Sequence, residues 1–333
     1  MTIPKSTPLS ILDLAIIGQD ETAADAFAAS VALAQTAERR GYQRVWYAEH
    51  HNMASIASSA TSVLIAHVAA HTSTIRLGAG GVMLPNHSPL TIAEQFGTLA
   101  TLHPGRIDLG LGRAPGSDQN TMRAMRTDPR SSDRFPDDIR ELQGYLGTTS
   151  SVPGVVAVPG AGTNVPLYIL GSSLFGARLA AAFGLPFAFA SHFAPAHLLD
   201  AVATYRAEFQ PSEQLAEPHV MAGVNVLAAE SEADAERQRA TVARRRIARF
   251  VTPRRDLSDD EADALLASPQ GQQIAQMMHY TAAGTPLMVK EYLDTFAEAV
   301  GVDELMTVHP APTVAERLTS VELLADVNDP VTV

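Results

Sequence analysis

Residues 74–113 read TIRLGAGGVMLPNHSPLTIAEQFGTLATLHPGRIDLGLGR, and this stretch decides the fold. An apolar run, TIRLGAGGVML (74–84), stops at a proline. LTIAEQFGTLATLH (90–103) then spaces its apolar residues at helical period, and RIDLGLG (106–112) opens a second apolar run after Pro104-Gly105. Short, mostly apolar runs on either side of a helical period predict a strand, a crossover helix and a second buried strand beside the first.

The same alternation repeats in both directions. LSILDLAII (9–17), RVWYAEH (44–50), PLYILGS (166–172), PFAFASHF (186–193), VMAGVNVLAA (220–229) and ELMTVHP (304–310) are the remaining candidate strands. Helical patterns such as DAFAASVALAQTAERRG (25–41), TSVLIAHVAAHT (61–72), GARLAAAFG (176–184) and TVAERLTSVELLADV (313–327) lie between them. Gly41 and Gly184 close helices, and Thr285-Pro286 supplies an N-cap and a first-turn proline for another. Eight strands with intervening helices predict an α/β fold, a (β/α)8 TIM barrel occupying 1–333 as a single domain. Two insertions break the rhythm, a polar one at 114–138 after strand four and a helical one at about 250–283 before strand eight.

The chain is 46% hydrophobic and 18% charged, a globular composition. Its 24 basic and 36 acidic residues give a net charge of -12. The densest basic stretch, ARRRIARF (243–250), sits inside a helical pattern, so nucleic acid is not an expected partner. No cysteine is present, which removes disulfides, thiolate metal sites and cysteine nucleophiles together. The N-terminus lacks a secretory pattern and no run of 18 apolar residues occurs, so a cytoplasmic protein with no membrane partner is expected.

In a barrel of this kind function gathers at the C-terminal ends of the strands. Those ends carry Glu49-His50-His51, Gly80-Gly81, Gly112-Arg113, Gly171-Ser172-Ser173, Ser191-His192, Asn225 and His309. Polar ends alone are ordinary where strands reach water, but imidazoles, an arginine and paired serines are a selected set. If the second strand stays extended, His50 points away from the face shared by Glu49 and His51, which disfavours a shared metal. His67 and His71 have i, i+4 spacing, yet HVAAH lacks the glutamate of a zinc helix, so no metal site is expected.

GLGRAPG (110–116) loosely resembles a dinucleotide fingerprint but does not open an apolar helix. Its glycines allow close ligand approach, and Arg113 is either a phosphate donor or a surface ion pair. LGSSLFGARLAAAFG (170–184) converges two hydroxyls and a helix N-terminus, a recipe for an anion, although one serine could simply cap the helix. Gly80-Gly81 marks either a ligand approach or packing against a neighbouring helix.

VWYAEHHN (45–52), the stretch from 78 to 113, LGSS (170–173) and GTP (284–286) together resemble the bacterial luciferase-like, flavin-dependent monooxygenases, in particular the single-chain alkanal-monooxygenase-like branch. The resemblance runs in order through nearly the whole chain. It implies a barrel that binds FMN, supplied as FMNH2 by a separate flavin reductase, and uses O2 through a flavin C4a-hydroperoxide to oxygenate a small organic substrate such as an aldehyde. It places the flavin-side catalytic imidazole on His50 and an unusual cis peptide under the ring on Gly80-Gly81. It places phosphate ligands on Arg113 and Ser173, with Arg134 as a second arginine and Gly112, Gly171 and Ser172 beside the cofactor. Gly112 stands where luciferase has a thiol and Ser172 where it has a carboxylate, so light emission is not implied. A homodimer through helices near strands two to four is a family expectation. A deazaflavin-dependent hydride transferase and a non-catalytic flavin-binding protein are the competing readings; the full count of strands favours an enzyme.

Overall fold

The computed structural model describes residues 6–114, 118–128, 130–150, 152–252 and 257–328. Strands β1 (Leu9–Asp13), β2 (Arg44–Tyr47), β3 (Arg76–Met83), β4 (Ile107–Gly112), β5 (Leu167–Gly171), β6 (Phe187–Phe189) and β7 (Val220–Ala228) pair in sequence order, all parallel. A short strand β8 (Thr281–Gly284) pairs with the far end of β7, and β9 (Glu304–Val308) pairs with both β7 and β1, closing a ring of eight. Helices α1 (Ala23–Arg39), α2 (Thr61–Ala69), α3 (Pro89–Leu102), α4 (Gln119–Ala124), α5 (Phe135–Leu146), α6 (Leu174–Phe183) and α7 (Leu198–Glu208) follow the first six strands. After β7 come α8 (Glu232–Val251), α9 (Asp259–Leu266) and α10 (Pro269–Gln276), then α11 (Pro286–Val300) and α12 (Val314–Asn328) around the last two strands. The fold is the expected (β/α)8 barrel. Among the described residues no helix is long and apolar enough to cross a membrane.

Three details differ from the sequence expectation. The insertion before the last barrel strand is helical only through α10; its end, Thr281–Gly284, is a strand because nine-residue β7 extends to Ala228 and residues 225–228 take 281–284 as their partner. β1 stops at Asp13, whose carboxylate accepts from the Ala15 amide at 2.9 Å and turns the chain, with Ala15 at φ 46°. β2 stops at Tyr47, so Glu49, His50 and His51 lie in a loop rather than on a pleat.

Helix ends follow local chemistry. Thr22 and Asp25 form a capping box at α1, and Gly184 and Gly301 take the left-handed conformation at φ 61° and 72° to end α6 and α11. The main core lies between strands and helices; a second apolar cluster, including Leu12, Trp46, Met221 and Met306, fills the barrel interior. Beneath it the N-terminal strand ends hold a buried ionic network. Arg44 donates to Glu304 at 2.9 and 3.1 Å, to Asp108 at 2.8 Å and to the Tyr168 hydroxyl at 2.6 Å. Asp108 also accepts from Arg76 and, at 3.1 Å, from the Trp46 indole. Every charge there has a partner, as burial requires, and the network anchors the underside of the interior plug.

Candidate active site

Above the plug the strand ends open into a cavity of about 860 Å³. Its floor is Leu12, Trp46, Met221 and Met306, and its rim gathers the candidate residues His50, Gly80, Gly81, Gly112, Arg113, Gly171, Ser172 and Ser173. The barrel thus brings together residues separated by more than a hundred positions.

One side of the rim is built for an anion. Ser173 precedes α6 in an extended conformation, φ -152° and ψ 166°, and its hydroxyl makes no capping hydrogen bond, so the plain N-cap explanation does not hold. The N-terminus of α6 and both serines therefore border the same space. Arg113 is exposed, with its guanidinium carbon 4.2 Å from the Phe175 ring centroid, and no carboxylate pairs with it among the described residues. A surface ion pair is thereby disfavoured. Arg134, the expected second phosphate arginine, is not brought to this site: its guanidinium lies 3.2 Å from Asp138 one helical turn on, and its neighbours Ser132 and Phe135 line the cavity instead. Pro115 and Gly116 of GLGRAPG lie outside the described residues; the next helix is α4, six residues beginning at Gln119 and capped by Asp118, rather than a long helix packed on β4.

Glu49 and His50 divide as the sequence reading grouped them, for a different reason. Glu49 is buried, and its two oxygens accept from His51 Nε2 and His87 Nε2, both at 2.8 Å, and from the Met83 amide at 3.0 Å. Burial pushes its carboxyl up, but the bonds and charge of His87, then the bonds from His51 and Met83, hold it below the ordinary value. The Glu49, His51 and His87 ligand atoms fall within 4.8 Å of one another, a spacing that these hydrogen bonds account for. Glu49 thus ties the loop after β2 to the end of β3 while touching the cavity wall. His50 lines the cavity, and its imidazole sits below its usual pKa because of burial first and the Arg249 charge second, opposed by Glu49. At neutral pH it is an uncharged ring able to donate at one nitrogen and accept at the other.

The Gly80-Gly81 peptide is cis. A side chain at Gly80 would meet Leu12 Cδ1 at 2.8 Å and Trp46 Cβ at 2.9 Å; one at Gly81 would meet the Gly110 carbonyl oxygen at 2.8 Å and its carbon at 2.9 Å. The packing partners are therefore the barrel interior and β4, not a helix, and the same backbone forms cavity wall. At Gly112 an added Cβ would find only Val82 O, at 3.8 Å, so that position faces open space.

Several rim residues differ from expectation. His309 does not line the cavity; it is buried between the Ser320 hydroxyl at 2.8 Å and the Thr307 hydroxyl at 3.1 Å and pushed down to about 3 by burial. His192 does line it, with Nδ1 buried and unpartnered among the described residues, and is pushed down to about 3 by burial, then by Arg246 and His50. Arg246 and Arg249 of α8 and Arg317 of α12 also line the cavity, and sequence reasoning gave them no role in the site. The signal was present in ARRRIARF, where 246 and 249 share a helix face with Val242.

The cavity combines an apolar floor able to take a planar ring, glycine backbone where a ligand can approach closely, and cationic, hydroxyl and amide donors at one end able to take a phosphate. The chain matches the sequence family described as luciferase-like monooxygenase over residues 7–321. It is 47% identical over 331 residues to a luciferase-like monooxygenase of Escherichia coli (strain K12), covering 98% of each chain. It is 34% identical over 329 residues to the N-acetyl-S-alkylcysteine monooxygenase of Bacillus subtilis (strain 168), covering 96% of this chain and 97% of that one. The crystal structure of apo-MsnO8 superposes with a TM-score of 0.87 at 36% identity, covering 96% and 98%. At 16–17% identity the same fold serves an FMN-bound Baeyer-Villiger monooxygenase (TM-score 0.72) and a coenzyme F420-dependent reductase (TM-score 0.69), with at least 96% of each chain covered; likeness at that distance shows the fold alone.

Proposed function

We propose, because this chain belongs to the luciferase-like monooxygenase family and is an oxidoreductase of that family, that it takes reduced FMN and O2 and oxygenates a small organic substrate. The observation that carries the proposal is the placement of an anion cradle, Arg113 with Ser172 and Ser173, and an uncharged imidazole, His50, around one apolar-floored cavity. When bound, reduced FMN supplies the oxygen activation; the protein's task is to position it and shape its electrostatics.

Arg113 and the two hydroxyls would hold the phosphate, with the α6 amides adding fixed positive dipole. Gly80 and Gly81 would let the ring lie against backbone, over Trp46 and Leu12. His50 would place an N–H donor or lone pair at the reacting edge without adding a charge, and the closed apolar floor would exclude water from that edge. FMNH2 would come from a separate flavin reductase, a reading supported by GLGRAPG, which does not complete a dinucleotide fingerprint, the helix after it being only six residues long. Val63 on α2 and Leu102 on α3, 68% and 63% exposed, lie where the expected homodimer would cover them. An aldehyde, or a thioether such as the one named in the Bacillus relative, is the oxygen acceptor to screen first.

The test is anaerobic titration with reduced FMN, reduced riboflavin and a reduced deazaflavin, followed by stopped-flow mixing with O2. Tight FMN binding with rapid O2 consumption supports the proposal. Preference for the deazaflavin, with no reaction toward O2, would replace it with hydride transfer.

A further inference from the structure

The cavity has a second cationic end that the flavin reading does not use. In a chain of net charge -12, the described cavity lining includes five arginines, Arg113, Arg245, Arg246, Arg249 and Arg317, and a single carboxylate, Glu49, already engaged by three donors. Arg113 belongs to the β4–α6 side. The other four come from α8 and α12, which follow β7 and β9 in a different sector of the ring.

Two of these are poorly compensated. Arg246 is partly buried; its Nε is buried with no partner among the described residues, and its Nη1 meets Met278 Sδ at 2.7 Å, a weak acceptor for a guanidinium. Arg249 is partly buried and has no carboxylate partner among the described residues. By contrast Arg244, two residues before Arg246, is bound to Asp259 at 2.6 Å and Asp263 at 2.6 Å, so the helix pairs its outward arginine and leaves its inward ones open. Buried guanidinium without an anion is costly, and a ligand anion is the ordinary remedy. Burial first, and then the charge of Arg249, lowers Arg246 to about 10; Arg249 lines the same cavity as His50, whose pKa its charge also lowers.

The geometry points to a substrate that carries an anionic group, a carboxylate or sulfonate, received by Arg246 and Arg249, with Arg317 lining the same cavity, while its apolar portion lies over the cavity floor toward His50. The inference deepens the oxygenase reading and rests on it for the word substrate; the anion site itself does not.

Octanoate, octane-1-sulfonate and the uncharged isostere octanamide are suitable probes, measured by isothermal titration on the FMN-saturated protein. Octanoate or octane-1-sulfonate should bind at least about tenfold more tightly than octanamide, as a charge-assisted contact implies. Arg246→Gln and Arg249→Gln should each cut that preference to below threefold and leave the FMN dissociation constant within twofold; Arg249→Lys should keep part of it. Equal binding of the acid and the amide by the wild type overturns the proposal without any variant. So does a preference that survives both glutamine variants, or variants that weaken FMN but not riboflavin, which would assign these arginines to the cofactor phosphate. FMN titration of the same wild-type protein tests the oxygenase reading separately: no FMN binding alongside an intact preference on FMN-free protein would overturn that reading and leave the anion site standing.

Discussion

Arg44→Met tests whether the ionic floor holds the barrel together beneath the cavity. The arginine side chain is 11% exposed and bridges two carboxylates that are 0% and 3% exposed, Asp108 and Glu304. Methionine keeps the apolar stem against Trp46 and Tyr168, whose ring centroids lie 5.9 and 5.2 Å from the guanidinium carbon, and removes the charge. Breaking a buried pair by deleting one partner costs about 3–5 kcal/mol. Unfolding entropy near about 2.1 cal/mol/K per residue over 333 residues gives about 0.7 kcal/mol/K, so the melting temperature should fall by about 4–7 °C. The loss should also depend on pH. Burial raises the Glu304 carboxyl, but the His219 hydrogen bond, the Arg44 charge and the Ser10 hydroxyl hold it below 4.5. A depressed carboxyl contributes stability above its unfolded pKa, and that contribution disappears as pH falls through the folded value. Removing Arg44 shrinks the contribution, so the gap between wild type and variant should narrow below about pH 4.5. Calorimetric scans from pH 7 to pH 4 read both effects, with FMN stoichiometry at 20 °C expected to be unchanged. A shift under 1 °C at pH 7, or a gap that widens toward acid, would refute the assignment of the network as the stabilising floor.

Arg113→Ala should weaken FMN by about 10- to 100-fold, the worth of a charged hydrogen bond, and leave riboflavin within threefold; equal losses by fluorescence titration would contradict a phosphate role. His50→Ala should bind FMN within threefold of wild type while converting a larger share of the reductant consumed into H2O2, and unchanged coupling in a peroxidase-linked assay would remove the imidazole from the chemistry. Gly81→Ala presses a methyl onto β4 backbone that cannot swing aside, so about 1–3 kcal/mol of stability should be lost, read as a fall of about 1.5–4 °C; a neutral melt would show that β3 and β4 can separate at no cost. His309→Gln tests acid sensitivity. Because the folded ring titrates near 3 and the unfolded one near 6.5, it adds stability above pH 6.5 that is lost toward pH 3, at about 1.4 kcal/mol per pH unit, so the variant's melting temperature should change by about 2 °C less per unit between pH 4 and 6. An unaltered slope would mean that His309 is not held neutral.

What could be read from the sequence was local. β3, α3 and β4 announce themselves because buried parallel strands and an amphipathic crossover each impose a period on their own residues, and Gly112-Arg113 and Gly171-Ser172-Ser173 are legible because a strand end, a turn and a helix start adjoin in the chain. Arg134 is the complementary case: it lies in the insertion after β4, where no period fixes direction, and it pairs with Asp138 one turn later instead of lining the cavity. Glu49 and His51 pair although β2 has already ended: a hydrogen bond to the Glu49 carboxylate, not a strand face, joins them. ARRRIARF shows where local reading stops. Its period specifies a helix in which 246 and 249 lie about 60° apart and 244 faces nearly the opposite way, but the period does not say which face turns inward. That is decided by the next two helices, α9 and α10, beyond the reach of the α8 period, whose Ala262 and Ile274 pack on Ile247 while Asp259 and Asp263 take Arg244. The insertion thereby fixes the rotation of α8 and turns Arg246 and Arg249 toward His50, so the segment with the weakest sequence signal sets the charge of the cavity.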